Sequence, residues 1–284
     1  GTYRLFENVR KRSAGLNFSF CDLSDSGQLE QKLTNATKMI WVESPTNPLL
    51  KLADLRAIAD FAKRYNLIAV CDNTFCSPVV QRPLEYGFDI VVHSATKYLN
   101  GHSDMIGGVA VCSSNRADLA EKIRFLSNSI GSIMSPFDSF LVTRSLKTLS
   151  LRMERHCKNA QSIAEFFEGH RAIDKVLYPG LKSHPQYKLA NHQMNGYGGM
   201  ISVIVKGGLQ KAVKFVESTK LFALAESLGG VESLVEHPAI MTHASVPKDI
   251  RDKIGIVDGL VRLSVGIETI DDLLIDLESA LDAD

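Results

Sequence analysis

The sequence predicts an α/β fold with a mostly parallel sheet, followed by a smaller α+β region. Three observations predict it. Short apolar runs alternate with an amphipathic helical pattern in the first half. Two of those runs, 38–44 and 67–72, are joined by one such helix, the length of a βαβ crossover. After about residue 145 the alternation gives way to longer helices and separated strands.

Each element has its own warrant. Leu16–Asp22 alternates apolar and polar residues and predicts a strand, and 26–33 after it predicts a helix. Lys38–Ser44 is an apolar strand. Residues 53–66 place Leu55, Ile58, Ala59 and Ala62 on one helical face. Leu67–Asp72 is a second buried strand, and Ile90, Val91 and Val92 mark a third. Gly107–Ser114 adds a fourth. A helical stretch spans roughly Pro136–His170, with apolar positions at Phe140, Leu141, Leu146, Leu149 and Met153. Residues 199–207 and 258–266 then predict half-exposed strands, separated by helices at about Leu209–Ser218 and Asp271–Leu281. The domains expected are 1–145 and 146–284.

Composition narrows the function classes. Lys plus Arg equals Asp plus Glu at 32 each, so no strong field invites nucleic acid or an anionic membrane. The trio Arg10–Lys11–Arg12 reads as a solvated helix face. No apolar run approaches the ~20 residues of a membrane helix, and the opening residues hold no apolar signal core. The five cysteines are an odd number without CxxC spacing and read as small buried hydrophobes. A reducing, cytoplasmic compartment is the expectation. Nucleotide-loop, zincin and serine-hydrolase motifs are absent. His102 and Asp104 in "GHSD" read as loop hydrogen-bonding residues.

In open parallel sheets, ligands bind beyond the carboxyl ends of the strands. Asn47, Asp72 and Lys97 follow three such ends at equal intervals of 25 residues. Asn47 lies between two prolines, and Lys97 has hydroxyls beside it at Ser94 and Thr96. An amide, a carboxylate, an amine and hydroxyls on one rim suit pyridoxal 5′-phosphate (PLP). Lys97 would form a Schiff base with its aldehyde and later move protons. Asp72 would keep the pyridine nitrogen protonated, and Ser94 and Thr96 would bond the phosphate. Asn47 would bond the ring oxygen or a substrate carboxylate. Each has a plainer alternative: a turn or cap for Asp72, a turn for Asn47, a solvent-reaching amine for Lys97.

Two later segments add to this rim. "LAESLGGVESL" holds Glu226 and Ser227 beside Gly229–Gly230, which permit close approach of the backbone to a ligand. "LVRLSVG" puts Arg262 inside an apolar strand, where its partner is either a substrate carboxylate or an internal acid.

"SATKYLNGHSD", "DNTF", "ESPTNP", "SLGGVESL" and "RLSVG" together resemble the Cys/Met-metabolism PLP enzymes of fold type I. "PAIMTHASVP" (238–247) and Arg124–Leu141 bring the match nearer to the branch that cleaves the Cγ–S bond of L-cystathionine in transsulfuration. The resemblance implies that Lys97 is the Schiff-base lysine and Asp72 its pyridine-nitrogen partner. Ser94 and Thr96 become phosphate ligands, and Thr74 lines the cofactor. Asn47 and Arg262 would hold the substrate carboxylate with Ser227 nearby, and Arg4 would stand near the distal end of the substrate. Glu226 matches a glutamate associated with γ- rather than β-elimination. The γ-synthase reaction is the alternative, as is an inactive chain acting only in assembly. A homotetramer with active sites shared between subunits is also implied. The family pattern includes a ring-stacking aromatic, a glycine-containing phosphate loop and an N-terminal arm, none of which falls in this sequence; 1–145 is therefore read as an N-terminally incomplete PLP-binding domain.

Overall fold

The computed structural model describes residues 1–242, 244 and 247–283. Its first sheet holds β1 (Met39–Glu43), β2 (Ile68–Asp72), β3 (Ile90–Ser94) and β4 (Gly108–Cys112), in that order. β1, β2 and β3 run parallel, with Glu43 opposite Asp72 and Asp72 opposite Val92. β4 returns antiparallel on β3, placing Ser94 opposite Gly108.

The crossover between β1 and β2 is the helix Leu55–Arg64. It begins where Asp54 accepts the Ala57 N–H, a side-chain cap for an otherwise unpaired donor. Its apolar face buries Leu55, Ile58, Ala59, Phe61 and Ala62 against Val42, Ala69, Cys71 and Val91. Each large side chain among them contributes about 1.5–3 kcal/mol by leaving water. This packing fixes the sheet whose carboxyl ends form the site.

The second sheet runs β5 (Ile173–Leu177), β6 (Met200–Val205), β9 (Leu260–Ser264), β8 (Leu234–Glu236), β7 (Ala223–Leu224). All its pairs are antiparallel except β7 with β8. The helices Leu149–Glu168, Gly208–Ser218 and Ile270–Leu281 bury Phe167, Phe215 and Leu277 against it.

Three expectations are corrected. Leu16–Asp22 is not a strand: its alternating aromatics are used on rings. Phe18 stacks on Phe6 at 4.6 Å and Phe20 tilts onto Tyr3 at 5.0 Å, both on the first helical segment. β6 and β9 are buried on both faces rather than one. The reason is that the β1 loop covers their second face, with Ser202 donating to the Pro48 carbonyl at 2.6 Å and Leu49 packing on Leu260. The stretch 136–170 is two helices, Pro136–Leu146 and Leu149–Glu168. At the break the Ser145 carbonyl accepts from Thr148 N–H, the Thr148 hydroxyl and Arg152, so the α-helical ladder cannot continue through it. Leu149 and Met153 enter the core, whereas Phe140 and Leu146 stay exposed.

Arg10, Lys11 and Arg12 are exposed on the first helical segment, as expected. All five cysteines are free; Cys71 and Cys76 are buried, and the others are half-buried. Among the described residues no helix is long and apolar enough to cross a membrane. The motif segment 238–247 is described except at 243, 245 and 246, which lie outside the described residues.

Candidate active site

β1 ends at Glu43, whose carboxylate accepts the Asn47 N–H at 2.9 Å and so ties the loop back to the strand end. Burial pushes the Glu43 pKa up. β2 ends at Asp72. Its Oδ1 accepts two bonds from Thr74, one from the backbone at 3.1 Å and one from the hydroxyl at 2.6 Å. The same Thr74 hydroxyl accepts the Ser94 N–H at 2.9 Å, which joins the end of β2 to the end of β3. Burial raises the Asp72 pKa against the lowering effect of the Thr74 bonds.

β3 runs directly into the π-helical turn Ala95–Leu99, which carries Lys97 in a non-helical conformation. The turn is held from behind by Arg152, a buried cation. Its guanidinium donates to the carbonyls of Tyr98 at 2.7 Å, Leu99 at 3.3 Å and Ser145 at 3.0 Å. Lys97 Nζ donates to the Ser227 hydroxyl at 3.1 Å. Burial lowers the Lys97 pKa, the cation of Arg262 lowers it further, and Glu236 opposes both.

Arg262, 1 % exposed, reaches the same place from β9. Its Nη1 donates to Asn47 Oδ1 at 3.0 Å and pairs with Glu236 at 2.9 Å. Its Nη2 donates to the carbonyls of Glu226 and Ser227, each at 3.0 Å. Ser227 is thus a bridge: its side chain accepts from the amine and its backbone from the guanidinium. The sequence left two partners open for Arg262, and the internal acid is present.

The structure therefore gathers Asn47, Lys97, Ser227, Arg262 and the Glu226 backbone into one cluster, with Asp72, Thr74 and Ser94 linked along the neighbouring strand ends. Other placements differ from expectation. The Thr96 hydroxyl accepts the Gly107 N–H at 3.0 Å and donates to its carbonyl at 3.3 Å, so its present partner is backbone. Arg4 is exposed and makes no hydrogen bond or ion pair among the described residues. The Glu226 side chain is exposed. Gly229, with φ +76°, lies against the turn of Lys97, so the close approach foreseen for a ligand is made to the lysine's own backbone. His102 Nδ1 bonds the Asn100 carbonyl at 2.7 Å, and Asp104 accepts from the Asn100 amide at 2.6 Å.

Sequence reasoning missed Glu236 and Arg152. Glu236 closes an apolar run and stands opposite Arg262 in the β8–β9 register. An acid ending a buried strand was the available signal, but the pairing depends on register, which one sequence does not display.

The residues present fit a pyridine aldehyde phosphate. Asp72 Oδ2 and the Ser94 hydroxyl have no hydrogen-bond partner among the described residues, although both residues are half-buried at one rim. A carboxylate with no ion-pair partner among the described residues, a free hydroxyl and a desolvated amine are the groups that a ring nitrogen, a phosphate and an aldehyde respectively need.

A sequence model described as Cys/Met metabolism PLP-dependent enzyme matches residues 1–282. The chain is 62% identical over 281 residues to a cystathionine beta-lyase of Coxiella burnetii (strain RSA 493 / Nine Mile phase I), covering 99% of this chain and 72% of that protein. It is 54% identical over 282 residues to a cystathionine gamma-lyase of Dictyostelium discoideum, with 99% and 72% covered. The crystal structure of cystathionine gamma-lyase from Lactobacillus plantarum complexed with L-serine superposes with a TM-score of 0.94 at 48% identity, covering 98% of this chain and 72% of that one.

Proposed function

The chain belongs to the Cys/Met metabolism PLP-dependent enzyme family, and from that membership we propose that it cleaves the Cγ–S bond of L-cystathionine. With one water, the products are L-cysteine, 2-oxobutyrate and ammonia. The observation that carries this reading is the bridge at Ser227. It brings an amine and a guanidinium onto the same residue, side by side as an α-amino acid needs them for its reacting α-carbon and its carboxylate.

In this reading Lys97, Asp72, Ser94 and Thr96 hold PLP, Thr74 lines it, and Asn47 faces both cofactor and substrate. Bound there, PLP supplies an electron-withdrawing ring that stabilises negative charge at the substrate α-carbon. Asp72 keeps a proton on the ring nitrogen, and Thr74 fixes the carboxylate orientation. Arg262 holds the substrate carboxylate, with Asn47 and Ser227 fixing the guanidinium plane. Lys97, its amine basicity lowered by burial and then by Arg262, takes the α-proton at Nζ. Glu226, exposed where its carbonyl anchors Arg262, is read as the residue favouring γ-elimination, and Arg4 as lying toward the distal end of the substrate. Hydrogen sulfide release from cysteine is the side activity expected of the same machinery.

Residues 1–145 are taken as the cofactor-binding part and 146–284 as the C-terminal part. A homotetramer with shared sites is part of the proposal, supported by exposed Phe125, Ile130, Ile133, Phe137 and Phe140 on consecutive helices and the turn between them.

A second reading is β-elimination, giving homocysteine, pyruvate and ammonia. What favours it is the 62% identity to a protein named cystathionine beta-lyase. Identifying the oxoacid formed from L-cystathionine by the PLP-loaded chain separates the two. 2-Oxobutyrate supports γ-cleavage, and pyruvate replaces it with β-cleavage.

A further inference from the structure

The two Nη groups of Arg262 are already engaged: they donate three hydrogen bonds, to Asn47 and two backbone carbonyls, and Nη1 also pairs ionically with Glu236. Nε–H has no partner among the described residues. A carboxylate binds a guanidinium best through two parallel bonds, and Nε alone offers one. An arriving carboxylate must therefore displace a resident. The carbonyls belong to fixed backbone and Asn47 is neutral, so the resident of like charge is Glu236. It is fully buried; its Oε1 pairs ionically with Arg262 at 2.9 Å and accepts from the Thr242 hydroxyl at 3.2 Å, and its Oε2 has no hydrogen-bond partner among the described residues.

On the reading of Arg262 as the group that binds the substrate carboxylate, we infer that Glu236 is its resident counter-ion and gives way by taking up one proton from solvent. The protein carboxylate becomes a neutral acid as the ligand carboxylate takes its place as the paired anion. Oε2, without a hydrogen-bond partner among the described residues, is the oxygen open to that proton.

Among the described residues, the charged groups facing Glu236 are Arg262 from β9, Lys97 from the turn after β3, and Glu226 from the segment after β7. Burial already pushes the Glu236 pKa up to about 7, Glu226 adds to the rise, and Arg262 and Lys97 oppose it. A second carboxylate on Arg262 weakens the opposition, so occupancy moves the pKa upward and draws in the proton. Glu236 acts here as a positioning residue: unliganded, it keeps the guanidinium oriented, and it yields that place when a carboxylate arrives.

The test uses propionate, a carboxylate without an amine, titrated calorimetrically into the PLP-loaded chain between pH 6 and 9. The expected result is a Kd that rises roughly tenfold per pH unit above about pH 7, with about one proton taken up per propionate bound. Glu236→Gln should remove both the slope and the proton uptake, and Glu236→Asp should restore them. A pH-independent Kd in the parent overturns the inference, and so does an unchanged slope in Glu236→Gln. Arg262→Met separates the underlying reading: loss of propionate binding supports it, whereas unchanged binding removes Arg262 from carboxylate recognition and the inference with it.

Discussion

Gly229 lies against the turn that carries Lys97, although the two belong to different sheets' connections. A Cβ placed on Gly229 stands 3.2 Å from the Lys97 Cβ and 2.9 Å from the Tyr98 nitrogen, and the φ of +76° is itself strained for any other residue. Gly229→Ala is expected to cost about 1–3 kcal/mol. Because the turn it pushes carries Lys97, the amine proposed to hold PLP, lyase activity should fall more than tenfold. Urea unfolding and initial rates read the two effects, and a variant with unchanged rate would detach this contact from lysine placement.

Arg152 is the support on the other side of the same turn. Removing its guanidinium leaves the buried carbonyls of Tyr98 and Leu99 without that donor, while the Ser145 carbonyl keeps its two bonds from Thr148. Arg152→Met should destabilise the fold by about 3 kcal/mol, since each unsatisfied buried acceptor costs on the order of 1–3. Chemical denaturation measures this, and a loss under about 1 kcal/mol would show that the carbonyls find other partners.

Much of this site is legible in the residue pattern alone. Three apolar runs with a helix between two of them announce parallel β1, β2 and β3, and the even spacing of Asn47, Asp72 and Lys97 places them at strand ends. What escapes the pattern depends on tertiary partners. Leu16–Asp22 has a strand's alternation, but its rings pack on Phe6 and Tyr3. β6 and β9 read as half-exposed because the loop covering them comes from the far end of the chain. Glu236 and Arg152 carry no local pattern: one is recognised only through strand register, the other only through the carbonyls it meets.

Two buried histidines make stability depend on pH. Burial lowers the pKa of His93 and of His156 from 6.5 to about 4. Both stay neutral in the fold, while the unfolded chain takes up their protons below about pH 6.5. Their contribution is thus fully present above pH 6.5 and is lost as pH falls toward 4, on the order of 3 kcal/mol per group. His156→Gln should flatten the fall in the urea midpoint over that window. An unchanged profile would assign the acid sensitivity to other groups.

The exposed apolar side chains of Ala117–Ile130 and Pro136–Leu146, with the turn between them, support the oligomer reading; Phe125 is 70% exposed and Ile133 71%. Phe125→Asp with Phe137→Asp should shift sedimentation toward monomer at micromolar concentration. Sedimentation identical to the parent would take these helices out of any interface.

Lys97 is proposed as the amine that carries PLP. Borohydride reduction of the PLP-loaded chain, followed by proteolysis and mass spectrometry, tests it most directly. The account predicts a phosphopyridoxyl group on Lys97 and no incorporation in Lys97→Ala. A stable label on another lysine, or none on the parent chain, would contradict it.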